Sequence, residues 1–232
     1  MMRKLENHRA ILFDLDGTLV DANPDIAEAA RRMLAELGEP PRSDEEIGRF
    51  VGKGIGVLVE RALNIGRREH TEAEIAAALE RFITHYAAVN GQQATVYPHV
   101  REVLEGLRAQ GVPMACVTNK AAVFTVPLLQ KLGLSGFFAC IVSGDTLPQK
   151  KPEPEPLLHS CRELGVAPAQ AVMIGDSDND ALAARRAGIP VWLVRGGYSE
   201  GIAVDSIDCD GLLSSFADLP DLLAFSRSRV PT

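Results

Sequence analysis

A short apolar run that ends in two carboxylates and a glycine constrains this chain more than any other feature. Residues 10–13 are apolar throughout, and Asp14-Leu15-Asp16-Gly17 follows them. An apolar run without alternation is typical of a strand covered on both faces, and open parallel sheets bind ligands beyond the carboxyl ends of such strands. Residues two apart on an extended backbone point the same way, so the two carboxylates repel each other unless a cation or proton intervenes. The run therefore predicts a divalent metal at a strand end.

Taken alone, the stretch has an equally simple structural explanation. A turn with Asx hydrogen bonds and a glycine at positive φ needs no function. Three further stretches argue against that explanation, because they also place polar residues beside strand-like runs. They are Thr118-Asn119-Lys120 after the run 112–117, the segment Lys150-Lys151-Pro152-Glu153-Pro154, and the acidic stretch from Gly175 to Asp180 after the run 171–174.

The order of apolar patterns along the chain predicts the fold class. Strand-like runs alternate with helical stretches, which is the pattern of a parallel sheet covered by helices. These runs lie at 10–13, 112–117, 139–142, 171–174 and 191–194. We therefore predict an α/β fold with a doubly wound parallel sheet, a Rossmann-like core.

The segment from residue 22 to residue 94 breaks this pattern. Its apolar residues recur at spacings of three and four, as in amphipathic helices. Ser43 with Glu46, and Thr71 with Glu74, have the spacing of capping boxes that open helices. We predict a helical insertion at 22–94 within an α/β core made of residues 1–21 and 95–232. Because it follows the first strand, the insertion emerges above Asp14 and Asp16 and can serve as a lid.

Composition excludes several other classes of protein. The chain has 232 residues, of which 46% are hydrophobic, enough to bury a substantial core. A net charge of −7 argues against a nucleic-acid binder, which needs a basic face. The four cysteines have no metal-ligand spacing, which favours reduced thiols. The N-terminal residues contain no apolar stretch long enough for a signal peptide or membrane span, so we expect a cytoplasmic protein without membrane or nucleic-acid partners.

The ordered stretches resemble the four motifs of the haloacid dehalogenase-like phosphohydrolases, and the similarity spans nearly the whole chain. Asp14-Leu15-Asp16-Gly17-Thr18 is similar to the nucleophile motif and Thr118-Asn119 to the second motif. Lys151-Pro152-Glu153-Pro154 is similar to the lysine motif, and the stretch from Gly175 to Asp180 to the acidic motif. The resemblance implies a mobile cap over the site, formed here by the insertion.

The resemblance also implies catalytic roles. Asp14 is the candidate nucleophile that attacks phosphorus, and Asp16 the acid and base that protonates the leaving oxygen and later deprotonates water. Thr118 stabilises the transferring phosphoryl group, and Lys151 neutralises it together with Asp14. The implied cofactor is Mg²⁺, held by Asp14, Asp176 and the main-chain carbonyl of Asp16, an oxygen donor set that suits this ion.

Other polar residues near the motifs have weaker assignments. Asp180 matches the second acidic position of the family and is expected to support the metal through water. Asp178 is explained by the preference of a helix N-terminus for acidic residues. Asn119 can bind substrate but can equally be a solvated loop residue, and Lys120 is expected to be solvated. Lys150 is expected to be a surface charge.

A glycine-rich stretch of the insertion resembles one branch of the family, the phosphoglycolate phosphatases. In Gly52-Lys53-Gly54 the glycines allow close backbone approach, and Lys53 can reach an anionic substrate tail. A turn between helices with an exposed lysine is the simpler alternative. The branch implies a small phosphate ester as substrate, with 2-phosphoglycolate preferred, and its carboxylate needs a second cation, for which Lys53 and Arg49 are candidates.

Four other activities remain compatible with the motifs to different degrees. A phosphatase of another small metabolite or a sugar-phosphate mutase uses the same four motifs. A dehalogenase is disfavoured, because that branch does not need the acid and base at Asp16. A phospho-acceptor signalling module also combines clustered aspartates with a threonine and a lysine, but it has no use for a lid.

Overall fold

A parallel sheet forms the centre of the protein, whose computed structural model describes residues 8–64 and 70–222. The described strands are β1 (Ala10–Phe13), β2 (Val20–Asp21), β3 (Thr95–Val96), β4 (Met114–Val117), β5 (Cys140–Val142), β6 (Ala171–Gly175), β7 (Val191–Val194) and β8 (Gly211–Leu213). Six of them form one sheet in the order β5-β4-β1-β6-β7-β8, with every pairing parallel. Counted along the chain, this is the 3-2-1-4-5-6 order of the Rossmann fold. The predicted α/β doubly wound sheet is confirmed.

Helices cover both faces of the sheet. The described helices are α1 (Asn23–Leu37), α2 (Asp44–Gly48), α3 (Ile55–Asn64), α4 (Glu72–Val89), α5 (Val100–Ala109), α6 (Ala122–Lys131), α7 (Glu155–Glu163), α8 (Asp178–Ala187) and α9 (Leu219–Leu222). Side chains of β1 alternate between two cores, so Ile11 and Phe13 pack with α5, α6 and α9, and Leu12 packs with α7 and α8. Burial on both faces explains why the strands are continuous apolar runs.

Each of the five predicted strand runs contains a strand, but three short strands were missed. β8 contains a glycine and only two apolar residues, and β2 and β3 have two residues each. Segments this short carry no detectable alternation. β2 and β3 pair antiparallel, with Val20 opposite Val96, at the base of the predicted insertion.

Helices α1 to α4 follow one another between β2 and β3. Both predicted capping boxes are confirmed: Ser43 caps α2 with Glu46, and Thr71 caps α4 with Glu74. Residues 65–69 of the predicted insertion, and residues 1–7 and 223–232 of the predicted core, lie outside the described residues.

A buried carboxylate joins the two chain segments that connect the insertion to the sheet. Asp25, at the start of α1, is fully buried and accepts hydrogen bonds from the backbone N–H groups of Gly91, Gln93 and Ala94. Three backbone donors are a favourable setting for a buried carboxylate. Asp25 therefore holds the beginning of the insertion against its end.

Two further expectations concern the cysteines and membranes. All four cysteines are free thiols; Cys116 and Cys161 are buried, and Cys140 and Cys209 are partly exposed. Burial raises the pKa of the Cys161 thiol to about 11, which keeps it protonated and unreactive. Among the described helices, none is both long and apolar enough to cross a membrane.

Candidate active site

The ends of three neighbouring strands bring the predicted site residues together. In the sheet register, Phe13 of β1 lies opposite Cys116 of β4 and Ile174 of β6. Asp14 therefore begins the loop beside those that carry Thr118 and Asp176. The strand order reverses between β1 and β6, and ligands of doubly wound sheets bind at such a crevice.

Lys151 is the central cation of the site. Its Nζ lies 2.8 Å from Asp14 Oδ1 and 2.6 Å from Asp180 Oδ1, and it donates to the carbonyl oxygen of Val117 at 2.7 Å. Burial alone would lower the pKa of Lys151, but Asp14 and Asp180 outweigh burial and raise it. The ammonium group is therefore charged and fixed between the two carboxylates.

Asp180 connects the lysine to the start of α8. Its Oδ2 accepts hydrogen bonds from the backbone N–H groups of Asp176 and Ser177, both at 3.2 Å, and from the Ser177 hydroxyl at 2.9 Å. Its other oxygen contacts Lys151. Asp180 thus fixes both the acidic loop and the lysine, and its support of a metal through water stays a prediction.

Asp176 lies in a cradle of backbone and small residues. Its Oδ1 accepts from the Thr18 hydroxyl at 3.1 Å, and its Oδ2 accepts from the backbone N–H of Tyr198. A Cβ atom at Gly17 or at Gly197 would overlap the Asp176 side chain, and Gly17 also has a positive φ of 86°. Glycine is therefore required at Gly17 for both close approach and backbone conformation.

The acidic cluster fits a divalent cation. Ligand oxygens of Asp14, Asp176 and Asp180 lie within 4.8 Å of one another. Burial raises the pKa of Asp14 to about 7, because Lys151 only partly offsets the loss of water and the repulsion from Asp180. Burial and the two neighbouring carboxylates raise the pKa of Asp176 well above its ordinary range. Three carboxylates facing one lysine leave surplus negative charge, which a hard cation with oxygen ligands would neutralise.

The loop after β4 contributes a hydroxyl and an amide that have different functions. Thr118 is buried, and its Oγ1 accepts from the backbone N–H of Lys120 at 3.2 Å. Asn119 Nδ2 donates to the carbonyl oxygens of Gly52 and Lys151, both at 2.8 Å. Asn119 thus joins the insertion to the lysine loop, and it is not simply a solvated loop residue.

Lys120 is not solvated, so that expectation was wrong. Its Nζ lies 2.9 Å from Asp16 Oδ2 and 3.2 Å from Asp16 Oδ1, and it also contacts the hydroxyl of Tyr86 in α4. Burial would lower the pKa of Lys120, but Asp16 and Tyr86 outweigh it and raise the pKa. Burial also raises the pKa of Tyr86 to about 12, so both groups keep their protons.

The glycine-rich stretch of the insertion contacts the site through its backbone. Gly52 and Gly54 line the cavity, and the carbonyl oxygen of Lys53 accepts from Lys150 Nζ at 2.8 Å. The Lys53 ammonium lies 3.1 Å from Glu200, a residue of the loop after β7. Arg61 of α3 binds the second oxygen of Glu200 at 2.7 Å, and the Glu200 side chain is only 8% exposed.

A small cavity lies over Asp14 and Asp16 and is covered by the insertion. Its volume is about 40 Å³, where one water molecule needs roughly 10–15 Å³ on the same scale. The part contributed by the insertion is largely apolar and comprises Ile26, Val51, Gly52, Gly54, Ile55, Leu58 and Tyr86. Among the described residues that line it, Lys120 supplies the cationic side chain. This space suits a small ligand.

The same arrangement of strand ends is found in known proteins. The sequence profile of the haloacid dehalogenase-like hydrolases matches residues 11–194. The chain belongs to this family. Membership confirms the resemblance stated above and makes the chain an enzyme of the hydrolase class, which disfavours the signalling module.

Individual relatives of this hydrolase are similar over most of their length. A phosphoglycolate phosphatase of Cupriavidus necator, described as plasmid-encoded, is 46% identical over 218 residues, which cover 94% of each chain. A phosphoglycolate phosphatase of Thiobacillus denitrificans is 46% identical over 212 residues, covering 90% of this chain and 93% of the relative. The crystal structure of a predicted phosphoglycolate phosphatase from Haemophilus somnus superposes with a TM-score of 0.89 at 34% identity, covering 93% of this chain and 98% of the other.

The site of this hydrolase contains residues that its sequence did not reveal. Sequence reasoning assigned no function to Tyr86, Tyr198 or Glu200, and it treated Lys120 as solvated. The one sequence signal that could have placed Lys120 in the site was its position directly after Thr118-Asn119. Tyr86 lies on an amphipathic helix, where periodicity predicts a buried face but not its partner. Asp178 lies in the first turn of α8, as helix electrostatics predicts.

Proposed function

We propose that the chain is a Mg²⁺-dependent phosphatase of small phosphate monoesters, acting through a phospho-Asp14 intermediate, with 2-phosphoglycolate as its substrate. The observation that carries this proposal is the position of Asp14 beneath a small cavity lined by the insertion, with Lys151 on one side and Asp16 two residues further on. The relatives named phosphoglycolate phosphatase support the choice of substrate.

The proposed reaction consists of two successive displacements at phosphorus, in which Asp14 is the nucleophile and Asp16 is the acid and base. In the form that reacts, Asp14 is ionised and Asp16 carries a proton: an oxygen of Asp14 attacks phosphorus, the bond from phosphorus to the ester oxygen breaks, and Asp16 gives its proton to the leaving glycolate oxygen. Water then attacks the phosphorus of phospho-Asp14, Asp16 takes a proton from that water, and the bond to the Asp14 carboxylate breaks. Inorganic phosphate leaves, and both carboxylates return to their initial states.

Thr118 and Lys151 stabilise charge during both displacements. The Thr118 hydroxyl, at the end of β4, donates to a phosphoryl oxygen, and the Lys151 ammonium lies beside Asp14, where negative charge accumulates. Fixed donors in a site without bulk water stabilise developing charge more strongly than solvated ones. Asp180 keeps Lys151 in place and thereby supports this function.

Mg²⁺ is proposed as the cofactor because the cluster of buried carboxylates carries surplus negative charge. The side chains of Asp14 and Asp176 and the main-chain carbonyl of Asp16 would hold it. When bound, the ion lowers the repulsion between the carboxylates and the incoming phosphate. Thr18 and the backbone N–H of Tyr198 orient Asp176 for this purpose.

Residues 22–94 are proposed to act as a cap domain on the core formed by 1–21 and 95–232. Its apolar lining excludes water from the site, and its contacts with the core through Asn119 and Glu200 hold it over the cavity. Water exclusion strengthens the electrostatic interactions that stabilise the transition state.

Phosphate release from a panel of esters tests the proposal. Wild-type protein is assayed with Mg²⁺ on 2-phosphoglycolate, hexose phosphates, nucleoside monophosphates and pyrophosphate. We expect 2-phosphoglycolate to give the highest kcat/KM and Asp14→Asn to reduce kcat by at least about 10⁴-fold, as loss of a nucleophile does elsewhere. Asp178→Asn, the same change in a half-buried acid of α8, is the matched control and is expected to retain activity.

Different results contradict different parts of the proposal. Equal, weak release from every ester rejects the substrate but keeps the phosphatase chemistry. Formation of an isomerised sugar phosphate without release of inorganic phosphate favours a mutase. Full activity of Asp14→Asn rejects the phospho-Asp14 intermediate.

A further inference from the structure

Lys120 occupies a position that the proposed chemistry leaves without a role. It lines the cavity, contacts Asp16 and is held by Tyr86 of the insertion. We propose that the Lys120 ammonium is the group that recognises the carboxylate on the leaving group of the substrate. This inference rests on the function proposed above and assigns one of its specificity determinants.

The first argument is position relative to the leaving group. Asp16 is the group that meets the leaving oxygen in the proposed reaction, and Lys120 Nζ lies 2.9 Å from its carboxylate. In 2-phosphoglycolate, a single methylene group separates the leaving oxygen from the substrate carboxylate. A tail this short remains beside Asp16, where an ammonium already in contact with Asp16 can bind it.

The second argument is the environment of the charge. The Lys120 side chain is only 3% exposed, and apolar residues of the insertion cover the cavity next to it. Water screens a buried ion pair much less than an exposed one. A carboxylate that enters this cavity therefore gains more from Lys120 than from a lysine at the surface.

The third argument concerns Lys53 and Arg49, the two cations of the insertion that the sequence offered for the substrate tail. Lys53, the candidate from sequence, is directed to Glu200 and is 38% exposed. Arg49 forms an exposed ion pair with Glu45 at 2.6 Å. The acidic partners of these two side chains do not line the cavity, whereas Lys120 and its partner Asp16 both line it.

Tyr86 provides the connection to the insertion. Its hydroxyl contacts Lys120, and its ring packs against Phe124 of α6 with centroids 4.7 Å apart. The aromatic contact fixes the ring, and the hydroxyl then limits the directions available to the ammonium. A closed insertion thus orients the cation that receives the tail.

Two esters of the same chain length separate tail recognition from general catalysis. We compare 2-phosphoglycolate with 2-hydroxyethyl phosphate, which replaces the carboxylate by a neutral hydroxymethyl group. Wild-type protein, Lys120→Met and Lys53→Met are assayed on both esters, with Lys150→Met as a control for loss of a nearby exposed lysine. The measured quantity is the ratio of kcat/KM between the two esters.

We expect Lys120→Met to reduce this ratio about 10- to 100-fold, the range for a lost charge-assisted hydrogen bond. Lys150→Met is expected to leave the ratio unchanged. Equal losses on both esters overturn the inference, since Lys120 then acts only through Asp16. A ratio that collapses in Lys53→Met but persists in Lys120→Met also overturns it, and assigns the tail to Lys53.

The result for the wild-type protein distinguishes failure of this inference from failure of the proposed function on which it rests. A wild type without preference for 2-phosphoglycolate rejects the proposed substrate and the inference together. A wild type with that preference, retained in Lys120→Met, rejects the inference alone. If circular dichroism shows that Lys120→Met is unfolded, Tyr86→Phe replaces it in the experiment. We expect Tyr86→Phe to raise the KM about threefold for 2-phosphoglycolate only. Equal changes in KM for both esters contradict the inference.

Discussion

The floor and the roof of the cavity are built on different physical principles. The floor consists of the strand-end residues Asp14, Thr118, Lys151 and Asp176, which parallel pairing brings together. The roof is the part of the insertion that lines the cavity, and it is largely apolar. Backbone hydrogen bonds fix the floor, whereas ion pairs such as Glu200 with Lys53 and Arg61 join the roof to the core.

Because of this difference, the floor governs the rate of turnover and the roof governs the selection of the substrate. Three of the floor residues carry buried, interdependent charges, so removing Lys151 leaves carboxylates unpaired at high energetic cost. Roof residues exclude water and shape the space for the substrate, and their loss affects binding more than the chemical step. We therefore expect floor variants to lower kcat and roof variants to raise KM.

The largest effect is expected at the central cation of the floor. Lys151→Met leaves Asp14 and Asp180 as unpaired buried carboxylates and removes the charge beside the transferring phosphoryl group. We expect kcat to fall by about 10³-fold or more, measured as phosphate release under saturating substrate. Lys150→Met removes the adjacent exposed lysine and serves as the control. A Lys151→Met enzyme that loses only substrate affinity would contradict the assignment of this lysine to the floor.

An effect of intermediate size is expected on the stability of the metal-free protein, measured as its free energy of unfolding. The pKa of Asp14 rises from an ordinary 3.8 to about 7 on folding, so the native protein binds more protons than the unfolded chain between these pH values. Stability therefore falls as pH rises from about 4 to about 7. Asp14→Asn removes this cost, and we expect it to be more stable than wild type by on the order of 4 kcal/mol at pH 8, but not at pH 4.

Urea unfolding in the presence of a chelator measures this difference. The wild-type free energy of unfolding should decline across the stated pH range more steeply than that of Asp14→Asn. The same stability difference at pH 4 and pH 8 would show that Asp14 is not the titrating group. Added Mg²⁺ should stabilise wild type more than the variant, because the variant lacks one proposed ligand.

The smallest effect is expected where the roof meets the core. Glu200→Gln removes a carboxylate that binds Lys53 and Arg61 together. We expect KM for 2-phosphoglycolate to rise about 3- to 10-fold with kcat nearly unchanged, in line with the net loss of about one hydrogen bond. Glu153→Gln, which breaks an exposed pair with Arg186, should have no effect. A lower KM in Glu200→Gln would mean that Lys53, once released, binds the substrate.

Much of the floor was predictable because parallel strands have a recognisable sequence pattern. An apolar run followed by polar residues marks a strand end, and neighbouring carboxyl ends meet at one edge. This logic placed Asp14, Thr118 and Asp176 correctly at one edge of the sheet. The capping boxes at Ser43 and Thr71 were predictable for a similar reason, since their hydrogen bonds join residues three apart.

The roof contacts were not predictable, because they depend on residues distant in sequence. Lys120 and Tyr86 are brought together only when α4 packs beside the loop after β4, and no local pattern encodes that packing. Glu200 lies in a loop without periodicity, so its two cationic partners left no signal. Lys120 was misassigned because lysines are rarely buried unless paired, and its partner Asp16 lies far away in the chain.

The buried carboxylate of Asp25 has a consequence for folding. β1 must pair with β4, and the whole insertion lies between them in the sequence. The entropic cost of closing such a loop grows with the number of residues in it, although slowly. Asp25 and the β2–β3 pairing close the insertion at its base, so that the effective loop between β1 and β4 shrinks to the short segments outside it. The central pairing of the sheet then becomes a nearly local contact, and insertions of very different length could occupy this position at little cost in folding rate.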